Sequence, residues 1–188
     1  MELNPTETLQ AFDTFLASEG LSFRAVVIGG AALHALGIVT RTTDDVDVLL
    51  PQVPPPIADA AARFAARPDS APVDGEWFNS KSYDFVGIPG CLPAGWRTRL
   101  RPLLHGKALT LDTLGRADLL CTKLVALVDR EEDFDDCVAL APTADELRDA
   151  WPFVEQYEGN EEVRAVYWVP KAQALYAQLA KALGHGGA

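Results

Sequence analysis

Apolar and polar positions fall in blocks along this chain, and the block lengths predict a mixture of strands and helices. Asn4-Pro5-Thr6-Glu7 opens a helix: Asn4 suits the N-cap, Pro5 fits the first turn, and Glu7 completes a capping box. Phe12, Phe15 and Leu16 form its buried stripe, and Gly20 ends it. Phe23–Ile28 predicts a strand, residues 31–36 a short helix closed by Gly37, and Val46–Leu50 a second strand stopped by Pro51 and the run Pro54-Pro55-Pro56. A third helix is expected over residues 57–66. Short strands are expected over 76–79, 83–86 and 108–111, with a turn-rich stretch over 91–96.

From Thr113 onward the pattern is helical. Leu119, Leu120, Lys123, Leu124 and Leu127 mark an amphipathic helix. Helices over 133–140 and 143–157 follow, and then a last one containing Pro170, which should kink or split it. The order is α-β-α-β, further short strands, then helices. It predicts an α+β fold: a mixed β-sheet core over residues 1–112 flanked by helices, and a helical C-terminal region over 113–188 packed on that core. A doubly wound parallel sheet is disfavoured, because the later half lacks repeated βαβ units.

Composition narrows the class. The chain has 188 residues, 48% of them hydrophobic and 23% charged, which is ordinary for a soluble globular domain with a proper core. No apolar run approaches a membrane span, and the acidic N-terminus lacks the basic and apolar regions of a signal peptide. Cys91, Cys121 and Cys137 are scattered and odd in number. They read as reduced thiols of a cytoplasmic protein, not as disulfides or zinc ligands. His34 and His105 have no partner spacing for zinc.

The formal net charge of −11 argues against broad, nonspecific nucleic-acid binding. Its distribution qualifies that. Acidic residues crowd the later part, from Glu131 to Glu162, whereas Arg97, Arg99, Arg101, His105 and Lys107 gather in the middle. Two readings stand for the basic segment: a patch that grips a triphosphate or an RNA end, and a solvated Arg-rich loop. Trp96, beside Arg97, likewise reads either as a platform for a base or as a buried structural residue in a tight turn.

The stretch from Val26 to Leu50, VVIGGAALHALGIVTRTTDDVDVLL, concentrates the candidate chemistry. Gly29 and Gly30 follow a β-run and open a helix. Without side chains their backbone can approach a phosphate, although a plain strand-to-helix turn uses the same residues. Asp45 and Asp47 stand at strand spacing and so point to one face, whereas Asp44 points to the other. Two carboxylates on one face near a Gly-Gly turn suit Mg²⁺ beside a triphosphate. A run continuing Val46, Val48, Leu49 and Leu50 argues against a merely solvated acidic turn.

Gly29-Gly30, a spacer and Asp45-Val46-Asp47 resemble the hallmark of the minimal nucleotidyltransferases in the DNA polymerase β-like superfamily. Arg41, Thr43, Asp45 and Asp47, read as Arg-x-Thr-x-Asp-x-Asp, resemble more specifically the AbiEii-type branch, which includes toxin halves of toxin–antitoxin and phage-defence systems. The segment with Lys123 and Arg130, followed by Asp133-Phe134-Asp135-Asp136, resembles that branch's second motif.

The resemblance implies a nucleotidyltransferase-like core and a cytoplasmic, bacterial, Mg²⁺-dependent enzyme. It would move NMP from an NTP to a hydroxyl on RNA, such as a tRNA 3′ end, or on protein. It implies Asp45 and Asp47 as metal ligands and Gly29, Gly30, Arg41, Thr43, Lys123 and Arg130 as nucleotide contacts. Lys123 would neutralise phosphate charge, and a cognate antitoxin would be a partner. Asp133 and Asp136 either orient Lys123 and Arg130 or cap the next helix. The superfamily's third carboxylate has Asp84, Asp74 and Asp133 as candidates here, and Asn79 as an uncharged occupant of the position. Without a third acid the alternative is a catalytically silent nucleotide- or protein-binding module of the same fold.

Overall fold

The computed structural model describes residues 4–68, 74–81 and 92–185. The chain divides into two compact units, one formed by Met1–Pro89 with Gly95–Gly115 and the other by Gly90–Ala94 with Arg116–Ala188. The fold is α+β, with a five-stranded mixed sheet, helices against it and further helices after it.

In the first unit the elements run α1 (Pro5–Ser18), β1 (Phe23–Ile28), α2 (Gly29–Ala35), β2 (Val46–Leu50), α3 (Pro55–Ala65), β3 (Phe78–Asn79), β4 (Arg101–His105) and β5 (Leu109–Thr113). Asn4 caps α1, its side chain accepting from the Glu7 amide at 3.4 Å. Gly20 supplies the positive φ of +67° just beyond the helix. The strand order is β3-β2-β1-β5-β4. β1 pairs antiparallel with β2 and parallel with β5, β2 pairs parallel with β3, and β4 pairs antiparallel with β5.

Alternation sorts the side chains. Ala25, Val27, Val46, Val48, Phe78, Leu109 and Leu111 face one side, where Leu9, Phe12 and Leu16 of α1 and Ile57, Ala60, Ala61 and Phe64 of α3 cover them. Trp77 closes this core fully buried, with its indole N–H donating to the Ala61 carbonyl at 3.2 Å and the Phe12 ring edge-on at 5.1 Å. Asp47 therefore lies on the opposite face of the sheet.

Several boundaries differ from expectation for identifiable reasons. α3 begins at Pro55, two residues early, because proline is tolerated in the first helical turn, where its missing N–H has no partner to lose. α2 begins at Gly29 itself. Of the strand expected over 76–79, only Phe78–Asn79 is paired. β4 was not expected at all: its Pro102 reads as a breaker, yet β4 lies at the end of the sheet order, where a strand can carry proline. The Arg-rich segment is thus partly an edge strand. The strand expected over 83–86 lies outside the described residues.

α1 is tied to the β4–β5 hairpin by one buried carboxylate. Asp13 accepts from the amides of Lys107, Ala108 and Leu109 at 3.1, 2.8 and 2.7 Å. Gly106 makes room for it, since a Cβ there would collide with that carboxylate.

The second unit comprises α4 (Arg116–Arg130), α5 (Phe134–Ala139), α6 (Ala144–Glu155), the single turn α7 (Glu161–Val163), a π-helical turn over Arg164–Trp168, and α8 (Val169–Ala182). Thr143 and Glu146 form a complete capping box at the start of α6. Pro170 lies in the first turn of α8, directly after the π turn. A wider turn there accommodates a residue that has no N–H and would crowd the carbonyl four positions back. Among the described residues no helix is long and apolar enough to cross a membrane.

Burial alone would raise the Asp13 pKa, but the three amides outweigh it and hold the carboxyl below its ordinary value. A depressed carboxylate stabilises the fold above its unfolded pKa, and that contribution is lost as pH falls through the folded pKa. Asp13→Asn is therefore expected to cost about 1–3 kcal/mol at pH 7, with the difference from wild type shrinking below about pH 4. Urea unfolding at both pH values measures this. A difference that does not change with pH would mean the charge of Asp13 is irrelevant.

Candidate active site

The antiparallel pairing of β1 with β2 sets Ile28 opposite Asp47, so the turn at Gly29-Gly30 arrives beside the aspartate strand. Gly29 adopts φ +76°, and a Cβ built on it would lie 2.5 Å from Asp47 Oδ2. A Cβ on Gly30 would meet Thr43 Oγ1 at 3.2 Å and the Arg41 Nη1 at 3.8 Å. Positive φ and this close approach together favour glycine at 29, and at 30 a Cβ would press on Thr43. The space their side chains would fill is held by the residues expected at the site.

Thr43 Oγ1 donates toward the Asp45 carbonyl at 3.3 Å and its Oδ1 at 3.5 Å, tethering the first carboxylate to the loop. Asp45 and Asp47 are both half-buried, whereas Asp44 is exposed. Six residues predicted from the sequence therefore come together in the first unit: Gly29, Gly30, Arg41, Thr43, Asp45 and Asp47.

On the other side of β2, the parallel register sets Asn79 beside Asp47. Phe78 faces the core, so alternation sends Asn79 to the Asp47 face. Its Oδ1 accepts from the Lys81 amide at 2.8 Å, and its Nδ2 is buried without a hydrogen-bond partner among the described residues. An amide, not a carboxylate, thus flanks Asp47 here. Asp84 lies outside the described residues. Asp74 accepts from the Glu76 amide at 2.7 Å in a turn.

Lys81 is a neighbour the motifs did not announce. Its pKa is raised first by the hydrogen bond to Glu76, with the fields of Asp74 and Asp45 adding to it. The order Asn79-Ser80-Lys81 alone carries no signal for this.

Among the described residues no group of three or more His, Cys, Asp or Glu side chains is placed to hold a metal. Two hard carboxylates remain, on a face where a backbone turn approaches without side chains. That donor set fits Mg²⁺, which takes one or two protein carboxylates and completes its octahedron with substrate phosphates and water.

The second motif assembles within the second unit. Lys123 is 7% exposed, and its Nζ lies 2.6 Å from Asp133 Oδ1 and 2.7 Å from Asp136 Oδ2. Arg130 Nη2 takes the other oxygen of Asp133 at 2.8 Å. Asp133 stands at the N-cap position of α5 but makes no side-chain cap there, so its carboxylate orients the two cations and does not close the helix. Burial lowers the Lys123 pKa, and Asp133 and Asp136 more than offset it, leaving the ammonium above its ordinary value. Cys137 beside them is pushed up to about 12, mainly by burial, and is an inert thiol.

The remaining candidates take structural places. Trp96 is buried, with the Arg97 guanidinium over its ring at 4.4 Å from the centroid. His105 Nε2 meets Asp112 Oδ1 at 3.1 Å. Cys121 and Cys137 are free and buried, while Cys91 lies outside the described residues.

The Gly-Gly turn thus packs against β2, which carries Asp47 and directly follows Asp45. The chain belongs to the family described as "Nucleotidyltransferase of unknown function (DUF6036)", whose model matches residues 7–145. No curated protein and no solved structure matches the chain.

This geometry makes Gly29 and Gly20, both at positive φ, a controlled comparison. Gly29→Ala adds a left-handed alanine and a clash with Asp47, whereas Gly20→Ala adds the same backbone cost at φ +67° with nothing within 4 Å. Gly20→Ala should cost about 1–2 kcal/mol and Gly29→Ala clearly more. Equal losses in chemical denaturation would disprove the tight packing on Asp47.

Lys123→Met removes the ammonium shared by two buried carboxylates and should cost about 3–5 kcal/mol at pH 7. The native pairing raises the Lys123 pKa. Its contribution is therefore complete below the unfolded value of about 10.4 and lost as pH rises through the folded one. Urea titrations at pH 7 and above pH 10 test both statements. A loss under about 1 kcal/mol at pH 7 would show the pair to be energetically idle.

Proposed function

We propose that this protein is a Mg²⁺-dependent nucleotidyltransferase that moves NMP from an NTP to a hydroxyl on RNA or protein. The single observation that carries the reading is the fit of Gly29 and Gly30 against Asp47, Thr43 and Arg41. It joins the two halves of the motif into one feature of the sheet.

In this reading Asp45 and Asp47 hold the metal, which when bound offsets triphosphate charge. Arg41 and the backbone at Gly29 and Gly30 receive phosphate oxygens, and Thr43 keeps Asp45 in position. The acceptor hydroxyl oxygen bonds to the α-phosphorus, the bond from that phosphorus to the β-bridging oxygen breaks, and pyrophosphate and one proton leave. Lys123 and Arg130, held by Asp133 and Asp136, resemble the second motif of the AbiEii-type branch. By resemblance to the AbiEii-type branch, the acceptor would be a tRNA 3′ end or a protein side chain. The same branch suggests a bacterial, cytoplasmic toxin with a cognate antitoxin.

A second reading is a nucleotide- or protein-binding module without turnover. It is favoured by Asn79, an amide where a third carboxylate would stand in register with Asp47.

Incubation with Mg²⁺, each α-labelled NTP, and bacterial RNA or lysate protein decides between them. The enzymatic reading expects label on one acceptor class, falling at least about a hundredfold in Asp45→Ala, the scale for losing one transition-state electrostatic contact. NTP binding without transfer would favour the silent module. Neither binding nor transfer would remove the enzymatic reading and leave a protein-binding module of this fold.

A further inference from the structure

Asn79 is 9% exposed, a buried amide on the face that carries Asp47. Its orientation is fixed by chemistry. The Lys81 amide is a donor at 2.8 Å and requires the carbonyl oxygen, so the other end must be the –NH2 group. That group is buried without an acceptor among the described residues. Buried donors are rarely left unpaired, because an unpaired one forfeits its hydration without replacement. A donor left open on the face of Asp47 is suited to an oxygen acceptor supplied by a ligand.

We infer that the Asn79 Nδ2 group is a phosphate-oxygen donor of this site, a substrate-binding residue in the place where a third metal-binding carboxylate would otherwise stand. The inference rests on the nucleotidyltransferase reading and names the ligand chemistry of one further residue in it. Three observations support it independently of any motif. The β2–β3 register puts Asn79 next to Asp47. The strand spacing, about 4.8 Å, brings the two side chains within reach of one ligand. The Asx-type bond to Lys81 N–H holds the amide so that it cannot turn its oxygen toward the site.

An amide at this position cannot take a proton, and with its oxygen engaged it does not add a charged metal ligand. It adds a neutral donor in a setting where charge is already negative. The site is thereby built for one oxygen-rich anion whose phosphates meet Arg41 on one side of Asp47 and Asn79 on the other.

The test compares Asn79→Ala with Asn79→Asp. The aspartate keeps an oxygen for the Lys81 amide, so the local turn is retained while the donor is replaced by a negative charge. Binding of NTP and of inorganic triphosphate is measured by calorimetry at fixed Mg²⁺, with thermal melts as the folding control. Asn79→Ala should weaken binding about tenfold, the scale of one hydrogen bond to a charged group. Asn79→Asp should weaken it more, because a carboxylate then faces phosphate.

Asn79→Asp that binds Mg²⁺–NTP more tightly, or turns over faster, would overturn the inference by revealing a metal or base position. NTP affinity unchanged within twofold in both variants would overturn it while leaving the nucleotidyltransferase reading intact. If wild type binds triphosphate but no NTP, and Asn79→Ala weakens that, the donor role stands and the nucleotidyl reading falls. If wild type binds neither, and the ¹⁵N side-chain signal of Asn79 is unmoved by Mg²⁺ with triphosphate, both fall. If Asn79→Ala fails to fold, the affinity of Asn79→Asp and that ¹⁵N signal decide between the same outcomes.

Discussion

The constraint on which the first unit depends is the absence of side chains at Gly29 and Gly30. β1 must run to Ile28, turn at once into α2, and leave room for Asp47 on the adjacent antiparallel strand. A Cβ at residue 29 would fall on the Asp47 carboxylate, and one at residue 30 would press on Thr43. The turn, the strand register and the two aspartates therefore form one steric solution. The register also fixes Asn79, since a one-residue slip would send it and Asp47 to the core face.

Asp13 and the pair Asp133 and Asp136 are buried acids satisfied in two chemically different ways. Asp13 is held by three backbone amides, a solution that draws on local geometry and positions a loop. Asp133 and Asp136 are held by Lys123 and Arg130, a solution that uses formal charge and orders the α4–α5 junction. The first is invisible in a sequence, because Asp13 sits within an ordinary amphipathic helix, 95 positions from Ala108. The second is half visible: the spacing of Lys123 and Arg130 on one helix face can be read, and so can the acids that follow. That Asp133 serves both cations and does not cap α5 can be decided only by geometry.

Elements whose signal is hydrophobic periodicity were legible in the sequence. β1 and β2 have the expected limits, and the α1 stripe is buried, with Phe12 and Leu16 fully so. Elements whose signal is contradictory were not. β4 pairs through a bulge around Pro102, and its exposed Arg101 and His105 look like loop residues until β5 is set beside them. The start of α3 within a proline run is the same failure in reverse. Within the candidate site, Gly29, Gly30, Asp45 and Asp47 were readable from spacing. The reason the glycines are needed was not, because it is a distance between strands. That the Asn79 Nδ2 has no partner among the described residues was equally hidden, because it depends on what surrounds the side chain, not on its type.

The net charge of −11 is at first sight an obstacle to binding a triphosphate. Its placement in sequence removes much of the difficulty. Residues 116–188 carry 14 of the 27 acids and 7 of the 16 bases, while residues 85–111 contain no acid and hold Arg97, Arg99, Arg101 and Lys107. At physiological ionic strength the field of an exposed charge fades over about 8 Å, so a ligand responds to its immediate neighbours more than to the total. Around Asp47 those neighbours include two backbone positions without side chains, the guanidinium of Arg41 and the amide of Asn79. The carboxylates of Asp45 and Asp47 oppose an anion there, and a divalent cation would reverse their effect. On the proposed reading, local composition lets an acidic protein favour a polyphosphate once a divalent cation is bound.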